Sequence, residues 1–203
     1  MIDNCLWGGS IPESSLDTFL LNYTGCLGYS DVKPDEDALA WTEEAVGVGT
    51  AEASNGLLAF TVAVDDDQFD YLYAVDIGLS VGYMVEALVR VTAGSAVADK
   101  GAALQVADGA YRQTLWLRAT GLNIATEADV PLDLTRWTLI QFIAEGTSCA
   151  VLADGVVLQA ATVSSATTDY EVLFGCPGSG AATVEFDFVR VRLLGADESV
   201  PTS

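Results

Sequence analysis

The segment Y-R-Q-T-L-W-L-R-A at residues 111–119 combines two cations with an aromatic ring at a spacing that suits ligand binding. If it forms a β-strand, its side chains alternate between two faces, and Arg112, Trp116 and Arg118 share one of them. An indole between two guanidinium groups on an accessible face can stack on a sugar ring or anchor a protein partner. The alternative is a structural role, in which another segment covers Trp116 and Arg118 pairs with a neighbouring acid. The leucines of the opposite face are predicted to belong to the core.

The densest acidic cluster consists of three consecutive aspartates, 65–67, followed by Asp70. Carboxylate oxygens suit Ca²⁺, so Asp65, Asp67 and Asp70 are the metal candidates. The run lacks the regular spacing and the glycine of a defined calcium loop, and a solvated acidic turn is the favoured alternative. Ca²⁺ is the one cofactor that the sequence leaves open; no other is expected.

Composition excludes several classes of function. The chain has no histidine, which removes Ser–His–Asp and Cys–His nucleophiles and every His-ligated metal. Its 29 acids and 8 bases give a net charge of −21, so it lacks the clustered cations that nucleic-acid binding needs. No apolar run approaches the roughly 18–20 residues of a membrane helix, and we expect no membrane insertion. The N-terminus shows no basic and apolar regions of a secretory signal, so Sec export is not expected.

The four cysteines, Cys5, Cys26, Cys149 and Cys176, form no C-x-x-C pair, which argues against a zinc or redox site. Free, buried thiols are the favoured prediction. Pairing of Cys5 with Cys26 and of Cys149 with Cys176 remains the alternative.

The elements that must position these residues are β-strands. Period-two or short apolar runs bounded by turn residues occur at 57–64, 71–76, 81–92, 102–107, 111–119, 137–144, 149–153, 156–160, 170–174 and 182–194. Asp108-Gly109 and Asp154-Gly155 predict two hairpins, because Asp-Gly accepts the positive φ of a two-residue turn. Trp41 and Trp137 each begin an apolar run and are predicted to lie in the core. The pattern predicts an all-β fold, an antiparallel two-sheet jelly-roll sandwich with an irregular N-terminal arm.

Three regions follow from this pattern: an arm or leader at 1–40, the jelly roll at 41–196 and a polar C-terminal tail at 197–203. The leader lacks strand periodicity. We therefore expect the sandwich to fold without residues 1–40, and the arm to join a partner assembly.

Several of these strands also resemble a known superfamily. The closing strand A-T-V-E-F-D-F-V-R-V-R at 182–192 resembles the last strand of concanavalin A-like (laminin-G-like) lectin and glucanase jelly rolls. R-W-T-L-I-Q-F at 136–142, followed by C-A-V-L-A-D-G-V-V at 149–157, resembles the strands that precede it, and Y-M-V-E-A-L-V-R-V at 83–91 an earlier one. The resemblance covers about residues 42–194. It implies a fold rather than an activity, because the superfamily includes lectins, glycan-binding modules, glycoside hydrolases and virion-surface domains.

The hydrolase branch of that superfamily can be compared residue by residue. Laminarinase-like members carry Glu-x-Asp-x-x-Glu on one strand, which supplies the two carboxylates of retaining hydrolysis. Glu185 and Asp187 match the first two positions, whereas Arg190 stands in the third and cannot act as the acid. We therefore predict no catalytic residue and no enzymatic activity.

Two hypotheses for function remain. The first is a non-enzymatic structural or display protein of a larger assembly, for which a virion is favoured, as capsid decoration or as a tail or fibre component. It would be oligomeric at the virion or another extracellular assembly surface and would contact other structural proteins through residues 1–40. The second is a carbohydrate-binding module that recognises a neutral glycan, for example on a cell surface. In both, Arg112, Trp116 and Arg118 form the contact surface.

Overall fold

The computed structural model describes residues 21–24, 26–27, 30–36, 41–63, 67–74, 82–94, 101–125, 127–163, 165–178, 180–195 and 197–202. Within these ranges the chain forms β-strands, joined by turns and one short 3-10 helix, Pro34–Glu36. The strands are β1 Leu21–Thr24, β2 Cys26–Leu27, β3 Ser30–Asp31, β4 Thr42–Val46, β5 Thr50–Ser54, β6 Leu57–Val62, β7 Gln68–Ala74, β8 Tyr83–Gly94, β9 Ala102–Asp108, β10 Arg112–Arg118, β11 Gly121–Ile124, β12 Val130–Pro131, β13 Thr138–Glu145, β14 Ser148–Ala153, β15 Val156–Thr162, β16 Tyr170–Cys176 and β17 Ala182–Leu193.

Two antiparallel sheets pack face to face. One has the order β15-β14-β13-β8-β17-β6-β5, with β1 as an eighth strand beside β17; the other has the order β12-β11-β10-β9-β16-β7-β4. All ten runs with strand periodicity form strands, because alternation of apolar and polar residues gives each strand one face for the core. The predicted antiparallel two-sheet jelly-roll sandwich is confirmed.

Aromatic rings fill the centre of the sandwich. Phe60 and Phe186 come from the eight-stranded sheet and Phe174 from the seven-stranded sheet, and their ring centroids lie 5.3–5.8 Å apart in edge-to-face contacts. Trp41 lies edge-on to Phe174 at 5.1 Å and is buried, as predicted. Trp137 is different: it is only half-buried, outside the core, with the Arg90 guanidinium 4.9 Å from its ring centroid. The prediction for Trp137 was wrong because the residue precedes β13 and lies on the outer face of its sheet.

The Asp-Gly hairpins are both present, with different turns. Asp154 and Gly155 have φ of 49° and 80°, the two positive values of a type I′ turn between β14 and β15. At the other hairpin the Asp108 amide donates to the Tyr111 carbonyl at 3.1 Å, so the turn is centred one residue later than predicted. There the Asp108 carboxylate accepts hydrogen bonds from the backbone of the turn instead.

Part of the predicted arm belongs to the sandwich. β1 pairs with β17, and Tyr23 is fully buried, with its ring 5.7 Å from that of Phe174. The Tyr23 hydroxyl donates to the Val32 carbonyl at 2.9 Å, and the Gly56 amide donates to the Asp31 carboxylate at 2.6 Å. The predicted boundary at residue 40 therefore does not separate the described segment 21–36 from the fold; residues 1–20 and 37–40 lie outside the described part.

Two further expectations concern the thiols and the membrane. Cys149 and Cys176 are free and buried, which confirms the favoured prediction for these two. Cys5 and the side chain of Cys26 lie outside the described part. No helix among the described residues is long and apolar enough to cross a membrane.

Candidate functional site

Strand β10 presents its two faces as the sequence predicts. Leu115 and Leu117 are fully buried in the core, so the side chains at Arg112, Thr114, Trp116 and Arg118 point to the outer face of the seven-stranded sheet. The three predicted contact residues therefore lie along one line. The chemical environment differs at each of them.

Arg118 is a structural residue. Its side chain is only 4% exposed, its Nη1 donates to the Asn123 amide oxygen at 2.7 Å, and its Nη2 is bonded to the Asp129 carboxylate. These bonds join β10 to β11 and to the loop that precedes β12. The expectation that Arg118 is accessible to a ligand is corrected, because a buried guanidinium must be paired within the fold.

Trp116 is held in place and remains half-buried. Its cross-strand neighbours are the small Ala103 on β9 and Asn123 on β11. A Cβ at Gly178 would lie 2.7 Å from Cζ3 of the indole, so the absence of a side chain there lets the ring pack on the backbone. The ring is thus neither free on the surface nor part of the core between the sheets.

Arg112 organises a polar network on the same face of the sheet as Trp116, four residues before it on β10. Its Nη2 is bonded to the Asp169 carboxylate and donates to Oε1 of Glu171 at 3.3 Å. Gln105 donates its Nε2 to the same Glu171 oxygen at 3.4 Å and accepts at Oε1 from the Thr114 hydroxyl at 3.0 Å. The Arg112 side chain is 38% exposed, and that of Glu171 16%, so the network is reachable from solvent.

We call Gln105, Arg112, Thr114, Trp116 and Glu171 the outer strip. They come from three adjacent strands, β9, β10 and β16, which lie about 4.8 Å apart. The strip places planar hydrogen-bonding groups and a fixed aromatic ring on one face of the sheet. Hydroxyl groups and C–H faces occur together on a sugar ring, and this surface offers a partner to each.

Gln105 and Glu171 were not predicted as site residues from the sequence. Both sit at outward positions of strands that were predicted, so their orientation could have been inferred from the alternation. Their proximity to Arg112 could not, because it depends on the sheet order that places β9 between β10 and β16.

Several carboxylates on this face influence one another. Asp70 on β7 lies directly across from Glu44 on β4. Burial, together with the charges of Glu44 and Glu171, raises the pKa of Asp70 to about 7. The pKa of Glu171 is raised as well, first by burial; Arg112 opposes this rise, and Asp169 and Glu44 add to it.

The metal candidates do not converge in the described part of the chain. Asp67 and Asp70 are buried, and one carboxylate oxygen of each has no hydrogen-bond partner among the described residues. These residues include no group of three or more side chains that could hold a metal ion. Asp65 lies outside the described part of the chain. The described residues therefore do not form the calcium site that the sequence left open.

The residues that match the hydrolase motif lie on the other sheet. Glu185 accepts a hydrogen bond from Nε of Arg90 at 2.5 Å, on the outer face of the eight-stranded sheet. Burial raises the pKa of Asp187, and the Arg190 guanidinium lies 4.0 Å from the Phe188 ring centroid. These residues and the outer strip are therefore on opposite sides of the sandwich.

Comparison with known proteins identifies the fold. No protein-family model matches the chain, and no curated protein matches it. Among solved structures, a cellulose-induced protein aligns with a TM-score of 0.63 and 9% identity over 90% of this chain and 100% of that one. A carbohydrate esterase from the Shiga toxin-encoding bacteriophage phi24B aligns with a TM-score of 0.59 and 15% identity over 88% of this chain and 99% of that one.

A third structure is longer than this chain. The binding domain of botulinum neurotoxin serotype D aligns with a TM-score of 0.57 and 9% identity over 88% of this chain, which spans about half (49%) of that domain. Identities this low show a shared fold alone. The protein is thus a jelly-roll-like β-sandwich of a kind found in carbohydrate-active enzymes and in toxin binding domains.

Proposed function

We propose that this protein is a carbohydrate-binding module that binds a neutral glycan on the outer strip. The observation that carries the proposal is the position of Trp116, half-exposed and packed on the Gly178 backbone, on the same outer face as the hydrogen-bonded Arg112–Glu171–Gln105 network. A ring that is already ordered loses little conformational entropy when a ligand stacks on it. The glycan-related structural neighbours are consistent with this role.

The charge of the protein selects the class of glycan. A net charge of −21 repels uronic acids and sulfated sugars at long range. Arg112, the one guanidinium of the strip, already forms ion pairs with Asp169 and Glu171. Its positive charge is therefore compensated and does not favour binding of an anionic sugar. A neutral sugar avoids this repulsion and can use Arg112 as a donor and Glu171 as an acceptor.

The module is proposed to bind without cleaving. Glu185 is engaged by Arg90, and Arg190 replaces the third acid of the hydrolase motif. Asp70, whose raised pKa would suit a general acid, is 2% exposed, and such burial keeps a substrate away from it.

The test is a glycan array followed by calorimetry on the sugars retained. Trp116→Ala is expected to weaken binding of the neutral glycan by about 2 kcal/mol, roughly 30-fold, because a central aromatic anchor is lost. Trp137→Ala is the matched control, since Trp137 is also half-buried on an outer face beside an arginine, but on the opposite sheet. Equal affinity of both variants and the parent protein would refute the outer strip as the binding site.

A second candidate is the display role in a virion, which the similarity to a bacteriophage esterase favours. In that case the same strip would contact a neighbouring protein, and the segment that attaches the sandwich to the assembly would lie within residues 1–40. Co-sedimentation of the native protein with large particles would support this candidate. A discrete monomer that binds glycan would support the first.

A further inference from the structure

A pocket of about 540 Å³ opens where the ends of β14 and β15 meet the C-terminal residues. Its walls are the turn with Glu145 and Ser148, the end of β15, Glu127 from the loop between β11 and β12, and residues 199–202. None of these residues belongs to the outer strip. The volume is in the range of small-molecule sites.

Part of the lining consists of residues with small side chains, among them Cys149, Ala160 and Ala161. Cys149 lies near the beginning of β14, and its cross-strand partner on β15 is Ala161. The C-terminal residues then close one side of the pocket as a wall rather than extending into solvent as a free tail.

A bidentate ion pair fixes the C-terminal residues that form this wall of the pocket. Nη1 and Nη2 of Arg192 donate to the two carboxylate oxygens of Glu198 at 2.6 and 2.7 Å, and the Gly195 amide donates to the same carboxylate at 2.6 Å. These bonds lower the pKa of Glu198 to about 2, so the pair stays ionised across the physiological pH range. The bidentate geometry sets the direction in which residues 199–202 leave the sheet.

The lining is negatively charged. Its ionisable groups are Glu127, Glu145 and the Cys149 thiol, and no lysine or arginine is among the described residues that line it. Burial and the Glu127 charge raise the pKa of Cys149 to about 11, so the thiol is neutral. The nearby charge of Arg192 is neutralised by Glu198. A concave site with one sign of charge attracts ligands of the opposite sign.

Hydroxyl groups supply the remaining polar contacts. Ser148, Thr162, Ser199 and Thr202 each contribute one to the lining. Hydroxyls both donate and accept, so they suit a ligand that itself carries hydroxyls.

We propose that this pocket binds a small hydroxylated primary amine, such as an amino sugar, whose ammonium group is held by Glu127 and Glu145. The proposal does not depend on the function of the outer strip, because the two sites share no residue. The acids give the preference for a cation, and the serines and threonines give the preference for hydroxyls.

The test is an NMR titration of the ¹⁵N-labelled full chain with glucosamine, with glucose and N-acetylglucosamine as neutral controls of similar shape. Glucosamine is expected to shift the amide signals of Ala160, Ala161 and Thr202, whereas the neutral sugars leave them unchanged. The double variant Glu127→Gln/Glu145→Gln is expected to bind glucosamine about tenfold more weakly, because it loses two charge interactions. Glu52→Gln on the edge strand β5 removes one acid elsewhere and is expected to bind like the parent.

Two controls distinguish binding in this pocket from binding on the outer strip and from loss of the folded structure. Trp116→Ala is expected to leave glucosamine binding intact, and an unchanged spectrum of the free double variant would show that it is folded. Equal shifts with glucose, undiminished binding by the folded double variant, or shifts confined to residues outside the pocket would each overturn the proposal.

Discussion

Asp70 combines burial with two acidic neighbours, and this combination has a consequence for stability. The carboxyl is 2% exposed, Glu44 faces it from β4, and Glu171 acts on it from β16. Its pKa is about 7 in the folded protein, against an ordinary value of 3.8. The folded state thus holds a proton that the unfolded state releases between these two values.

The stability of the protein is therefore expected to fall as the pH rises. A group whose pKa is raised by folding stabilises the fold below its unfolded pKa, and this contribution is lost as the pH rises through the folded pKa. Between pH 5 and pH 8 we expect a loss on the order of 2 kcal/mol from Asp70. Urea unfolding at the two pH values measures it.

Asp70→Asn is expected to remove most of this dependence and to raise the stability at pH 8, because a neutral amide carries no charge to bury. Glu52→Gln, which changes an exposed acid, should retain the slope of the parent protein. An Asp70→Asn variant with the parental pH slope would assign the dependence to other groups.

Strand β1 shows why the boundary of the fold was misplaced. L-N-Y-T is too short for alternation to stand out from its polar surroundings, and its pairing with β17 joins residues far apart in the chain. Longer strands were predicted because each carries its own period-two pattern. The contact between Gln105 and Glu171 in the outer strip could not be predicted for the same reason. The two residues are 66 positions apart in the chain, and only the sheet order brings them together.

Tyr23→Ala tests whether β1 is part of the fold. Removal of a fully buried aromatic ring that contacts Phe174 is expected to cost about 3–5 kcal/mol in urea unfolding. Tyr23→Phe keeps the ring but loses the hydrogen bond from its hydroxyl to the Val32 carbonyl, and it should cost about 1 kcal/mol. If the Tyr23→Ala variant were as stable as the parent protein, β1 would not contribute to the stability of the fold.

At the scale of the whole molecule, charge imbalance opposes folding. Even if each of the 8 bases neutralised one acid, 21 acids would remain, and folding brings them closer together. The exposed edge strand β4 adds Glu43 and Glu44 to this repulsion, the latter next to Asp70. Such repulsion acts over the Debye length, which shrinks from about 30 Å at 0.01 M salt to about 8 Å at 0.15 M.

Added salt is consequently expected to stabilise the protein. The melting temperature should rise by several degrees as NaCl increases from 0.01 to 0.5 M, because each kcal/mol gained is worth about 2–4 °C in a chain of this length. The variant Glu43→Gln/Glu44→Gln should start from a higher melting temperature and gain less from salt, because two of the repelling charges are gone. A melting temperature that falls with salt would mean that ion pairs such as Arg118–Asp129 outweigh the repulsion.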